Sequence, residues 1–146
     1  MTVASERPVV ALRHGRELVS PELFARLADF RAEEYGHEWS MAERITSEAL
    51  AFVEVMGRTG EAMSPSRLVD PGWHTFMLHT EEYAEFCRTR YGRFIHHAPK
   101  SRYRDRSTMA DVVAKIRAHG FEVDESLWGT RAECNEPACC GDGPCC

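Results

Sequence analysis

Helix punctuation constrains this chain more than any other feature. Ser20 followed by Pro21 reads as an N-cap with proline at the first helical position, and Leu23, Phe24, Leu27, Phe30 and Arg31 recur at helical spacing until Gly36. Ser40, Met41, Ala42 and Glu43 fit a capping box, which predicts a second helix. Its apolar face is Ile45, Ala49, Phe52, Val53 and Met56, and it ends near Gly57 and Gly60. Asp70 and Pro71 repeat the cap-and-proline pattern and predict a helix running to about Leu78 or His79. Thr80, with Glu81 and Glu82 behind it, then caps a further helix stopped by Gly92, unless a single helix continues through. In the continuous version Trp73, Met77, Ala84, Cys87 and Tyr91 share a stripe, flanked by Phe76, His79, Tyr83 and Phe86. Ser107 or Thr108 caps a last helix, with Met109, Val112, Val113 and Ile116 inward and Gly120 as its stop. The fold expected is all-α, a small bundle of four to five helices.

The segments outside this pattern are short. Val9, Val10, Ala11 and Leu12 predict a strand or an extended arm packed on the body, and Phe121, Val123, Leu127 and Trp128 a short extended piece. From Gly129 the composition changes: CNEPACCGDGPCC holds prolines and glycines and nothing to bury, so it is expected to be disordered. The division expected is a helical domain over 1–129 and a Cys-rich tail over 130–146; 146 residues suffice for one compact body.

A formal net charge of -5 argues against a nucleic-acid binder that uses its whole surface. Only Lys100 and Lys115 are lysines among 18 basic residues, an arginine bias that points to a GC-rich, bacterial coding sequence. The chain contains no apolar run of the roughly 18 to 20 residues needed to span a bilayer, and its N-terminus lacks the apolar core of a secretory signal. A cytoplasmic location and no membrane partner are expected. Five of the six cysteines lie between Cys134 and Cys146, where they cannot staple the body, so thiol chemistry in a reducing compartment is the reading.

The stretch Leu68 to Pro99 carries the chemistry, with four of the seven histidines, Trp73 and the one cysteine outside the tail. Asp70 and His74 are four positions apart, about 40° around a helix, so both can face one ion. His79 lies about 140° from His74 and joins only if the helix bends near Leu78. His96 and His97 are adjacent, so an extended backbone sends them to opposite faces, and His97 is preferred as the one that meets His74. Asp70, His74, His79, Cys87 and His97 are therefore the candidate ligands, although no fixed-spacing signature such as H-E-x-x-H is present. Cys134, Cys139, Cys140, Cys145 and Cys146 form a second set, suited to Zn(II) or Cu(I), without the C-x-x-C spacing of a defined knuckle.

Val69-Asp70-x-x-Trp73-His74-Thr75, then Tyr83 and Cys87, then Gly92-Arg93-Phe94 ending in His97, resembles the core of the glycine-rich domain-containing protein-like family. The resemblance is confined to the stretch from Val69 to His97. It departs from that family at Phe76, where larger relatives carry a second histidine, and no glycine-rich region follows. It implies a helical body with a shared site around Asp70, His74, Cys87 and His97, and no particular reaction.

Three function classes follow. The leading one is metal handling, with a histidine-centred site in the body and a thiolate tail that captures a soft ion, Cu(I) or Zn(II), and passes it to a metal-accepting protein. The second is a precursor of a ribosomally made peptide, whose tail cysteines are substrates for a modifying enzyme. The third is an RNA-binding module, drawn from Arg88, Arg90, Arg93, Lys100, Arg102, Arg104 and Arg106 interleaved with Tyr91, Phe94 and Tyr103; the total charge opposes it. No nucleophile, base and orienting residue can be assigned to a catalytic role.

Overall fold

The structure is a computed structural model that describes residues 10–97 and 108–129. Among these residues it is all-α, with five helices: α1 (Pro21–Tyr35), α2 (Trp39–Thr59), α3 (Asp70–Leu78), α4 (Thr80–Tyr91) and α5 (Met109–Ala118). Short 3-10 turns at Gly15–Leu18 and Glu125–Leu127 flank the bundle. No helix here is long and apolar enough to cross a membrane.

α2 is the axis of the bundle. Every residue from Glu48 to Met56 is buried, so the helix is covered on all sides rather than along one stripe. α1, α3, α4, α5 and the first 3-10 turn all pack on it. The core they share includes Leu27, Ile45, Phe52, Trp73, Phe76, Tyr83, Ile116, Phe121 and Trp128. Each large side chain buried this way contributes about 1.5–3 kcal/mol.

The helix signals act much as the sequence indicates, with differences at three starts. Ser20 Oγ accepts from Leu23 N, and Gly36 closes α1 in the left-handed region. Thr108 and Asp111 form a reciprocal capping box on α5. Ser40, by contrast, lies inside the first turn of α2, which begins at Trp39 with Glu38 as its cap. The indole explains the extra residue, because Trp39 Nε1 donates to Asp29 Oδ1 of α1 at 2.7 Å. Asp70 is likewise the first residue of α3 rather than its cap. The cap is Val69, held in turn by Ser66, whose carbonyl accepts from Asp70 N and whose Oγ accepts from Val69 N. The Asp70 carboxylate is thus free to act elsewhere. Between α3 and α4 the chain breaks at His79, and Thr80 opens α4 without capping it.

The N-terminal arm does not pack as expected, since Val10 and Leu12 are exposed. Arg13 holds that arm instead, through a parallel bridge to Phe121 in which Arg13 N donates to Gly120 O at 2.8 Å and Glu122 N to Arg13 O at 2.9 Å. The expected extended piece at 121–128 is only partly extended, because Glu125–Leu127 coil into a 3-10 turn that buries Leu127 and Trp128. Trp128 Nε1 donates to Glu48 Oε2 at 2.6 Å, Asp124 N to Glu48 Oε1 at 3.1 Å, and Ser66 Oγ to the Leu127 carbonyl at 2.6 Å.

Candidate metal centre

One close approach sets the face of α3. A Cβ on Gly72 would meet Ala49 Cβ at 2.8 Å and Ile45 Cγ2 at 3.0 Å, so only glycine lets α3 lie this close to α2. With Gly72, Trp73 and Phe76 turned inward, Asp70 and His74 stand one turn apart on the outer edge, each partly exposed.

His97 completes the group from the segment that follows α4. Its Nε2 lies 2.8 Å from Asp70 Oδ1, while His74 Nδ1 lies 3.3 Å from Asp70 Oδ2. The two imidazoles stack with centroids 4.5 Å apart, and the Trp73 ring also packs on His97, at 4.3 Å. One ligand atom from each of Asp70, His74 and His97 lies within 4.8 Å of the other two. Side-chain exposure runs from 12% at His97 through 30% at Asp70 to 42% at His74, so the group has a sheltered wall and an open side. Two imidazole nitrogens and a carboxylate oxygen with an open position suit a borderline ion such as Zn(II).

The remaining sequence candidates lie elsewhere. The break after Leu78 turns His79 away, so its Nδ1 meets the Thr75 carbonyl at 2.8 Å and its ring meets the edge of Phe30. Cys87 is wholly buried in the core. His96 is exposed against Phe94, and Phe94 packs on Tyr83 rather than lining the group. Cys134, Cys139, Cys140, Cys145 and Cys146 fall outside the described residues, as do Lys100, Arg102, Arg104 and Arg106 of the basic strip. Its described members are engaged within the fold: Arg88 pairs with Glu85, Arg90 with buried Glu54, and Arg93 donates to the Met56 and Gly57 carbonyls.

Spacing alone places Tyr83 in an apolar stripe, yet its hydroxyl organises the centre. It accepts from Trp73 Nε1 at 3.0 Å and donates to the Ile95 carbonyl at 2.7 Å. Burial pushes the phenol's pKa up, which keeps it a donor. One buried oxygen thereby ties the indole that packs on His97 to the backbone two residues before His97. The ten-residue spacing of Trp73 and Tyr83 gives no sign of this, because the break at His79 sets their relative position.

The UCP032817-like family model matches residues 18–118, a span that contains all five helices and the three clustered side chains. No curated protein and no solved structure matches the chain. The match overturns the resemblance to the glycine-rich domain-containing proteins, which rested on the stretch from Val69 to His97, all of it inside the matched span. Of the four residues that resemblance grouped, Cys87 is also separated in space from the other three, in the core rather than at the edge.

Proposed function

The chain belongs to the UCP032817-like family, and for it we propose metal handling, with a divalent ion of the Zn(II) type held by Asp70, His74 and His97. The observation that carries this reading is that two imidazole nitrogens and a carboxylate oxygen lie within 4.8 Å of one another at a half-open edge. Here Asp70 Oδ, His74 Nδ1 and His97 Nε2 are the ligand atoms, Trp73 and Tyr83 hold the His97 side rigid, and the open side admits the ion. The tail thiols add a soft-ligand set suited to Zn(II) or Cu(I), which fits a cytoplasmic protein that acquires an ion and hands it to an accepting protein.

The test is metal content of the full chain purified under a non-thiol reductant, compared with His74→Ala and Trp73→Ala. His74→Ala should lose the body's ion at a stability cost on the order of 1–2 kcal/mol, since it removes one polar contact and little buried volume. Trp73→Ala should cost roughly 3–5 kcal/mol by opening a cavity beside Phe52. If His74→Ala destabilises as much as Trp73→Ala and leaves metal content unaltered, the group is a packed polar edge and the reading falls.

The composition of 130–146 also suits a tail modified by an enzyme. A mass shift confined to that tail in material isolated from the native cell would favour this second reading.

A further inference from the structure

A second group of charged side chains surrounds a cleft of about 700 Å³ that shares no residue with the metal centre. Its floor is the face of α2 that carries Ser40, Glu43, Arg44, Ser47 and Glu48. One wall is the first 3-10 turn with His14 before it. The other is the segment from Glu122 to Glu125, with Arg117 at the end of α5. Backbone contacts fix both walls. A Cβ on Gly15 would meet the Ser47 carbonyl oxygen at 1.8 Å, so only glycine seats that turn on α2, where Arg16 N donates to Ser47 Oγ at 3.1 Å. The bridge between Arg13 and Phe121 ties one wall to the other beside His14 and Glu122. The cleft is thus built by the fold itself, and its volume lies in the range of small-molecule sites.

Every residue around the cleft except Val123 is polar or charged, so its occupant is polar too. The lining holds three arginines and five acids, an excess of two negative charges with His14 neutral. Each arginine is paired: Arg16 with Glu43 at 3.4 Å, Arg44 with Asp124 at 2.6 Å, and Arg117 with Glu125 at 2.6 Å. The two acids left over are Glu48 and Glu122. Glu122 stands at the exposed rim, where its ionic partner is His14 at 3.3 Å, which carries a charge only when protonated. Glu48 lies in the floor, 7% exposed, and no basic side chain among the described residues pairs with it. Asp124 N and Trp128 Nε1 donate to its two oxygens, and each oxygen keeps a second lone pair. Burial, reinforced by the Asp124 carboxylate and opposed by those two bonds, pushes its pKa up. A positive partner is what this carboxyl lacks.

We propose that the cleft binds a small aliphatic dication of the diamine class, with one ammonium on Glu48 in the floor and the other at Glu122 on the rim. The sign of the ligand follows from the excess of acids, and its valence from the two carboxylates that no arginine neutralises. An anion would meet that same excess, and the three arginines are already engaged. A neutral molecule would leave both carboxylates uncompensated. An ammonium brings three N–H donors, enough to fill the lone pairs still open on Glu48 with charge-assisted hydrogen bonds.

The probe is putrescine alone, titrated at constant ionic strength into the isotope-labelled full chain. Nitrogen–proton NMR reads the indole N–H of Trp128, which donates to Glu48, against those of Trp39 and Trp73, which donate to Asp29 and Tyr83. The Trp128 indole and the Asp124 amide should shift together along one saturating curve while the other two indoles stay where they were. Glu48→Gln should weaken binding about tenfold or more, the loss of one charge-assisted hydrogen bond, and Glu122→Gln about two- to fivefold, as befits an exposed pair. Should Glu48→Gln fail to fold by far-UV circular dichroism, Glu122→Gln decides, because that side chain is 60% exposed. Unchanged affinity in either folded variant overturns the inference. So do equal shifts with succinate, butanediol or magnesium chloride, or a Trp128 shift that grows without saturating.

Discussion

Tyr83→Phe removes a single oxygen from the interior and keeps the ring. In the structure that oxygen accepts from Trp73 Nε1 at 3.0 Å and donates to the Ile95 carbonyl at 2.7 Å. Tyr83 is 0% exposed, Trp73 4% and Ile95 5%, so water cannot replace it. The substitution strands one N–H and one C=O in the core. Each unsatisfied buried group costs about 1–3 kcal/mol, and some relaxation is available to the backbone at Ile95, so the total should be about 2–4 kcal/mol. The ring contacts with Phe76 and Phe94 remain, which excludes a cavity as the source. Urea unfolding followed by far-UV circular dichroism reads the loss as a lower midpoint at unchanged slope. The same variant should broaden the His97 ring resonances, since Ile95 no longer anchors that segment. A loss below about 0.5 kcal/mol, the least that one typical hydrogen bond contributes, with the His97 ring as well ordered as before, would refute the role given to this hydroxyl.

Two further outcomes follow from buried charges. Burial pushes the Glu48 carboxyl's pKa up, against the opposing hydrogen bonds from Trp128 and Asp124, so the folded state holds that proton more tightly than the unfolded state does. Its contribution is therefore greatest below the ordinary glutamate range and is lost as pH rises through the raised value, so stability relative to Glu48→Gln should fall as pH rises from the ordinary glutamate range upward. Urea midpoints at several pH values check this, and a relative rise would contradict it. Arg31 is 2% exposed, with Nε and Nη1 unpartnered among the described residues and its guanidinium over the Tyr35 ring. Arg31→Met should raise the unfolding free energy by about 1–3 kcal/mol by removing that desolvated charge, and a loss of more than about 1 kcal/mol would show that the guanidinium is satisfied after all.

Much of this architecture is legible in the chain because it depends on local chemistry. Ser20-Pro21, Gly36, Gly92 and the Thr108 box act within a turn of where they stand, so sequence spacing locates α1, the end of α4 and the start of α5. Errors arise where a distant partner decides. The Trp39 indole reaches Asp29 and extends α2 past the cap that Ser40 offers, and Val69, held by Ser66, takes the cap position so that the Asp70 carboxylate turns to the histidines. The pairing of Asp70 with His74 is visible as a one-turn spacing. That only one of His96 and His97 joins them follows from the alternation of an extended segment, but the agent that holds His97 there, Tyr83, sits in the sequence as one more aromatic in a stripe. His79 and Cys87 share the composition of the site and not its place, because a backbone break and a fully buried helix face send them elsewhere.

The central claim is that Asp70, His74 and His97 hold one ion. Long-range nitrogen–proton NMR of the histidine rings during a Zn(II) titration of the chain with Cys134, Cys139, Cys140, Cys145 and Cys146 changed to Ser, under a non-thiol reductant, tests it most directly. The expected result is that His74 Nδ1 and His97 Nε2 move together to metal-bound positions and saturate at one equivalent, while the His79, His96 and His119 rings stay where they were. Movement confined to His96 or His119, or no movement at His74 and His97 when zinc is in excess, would contradict it.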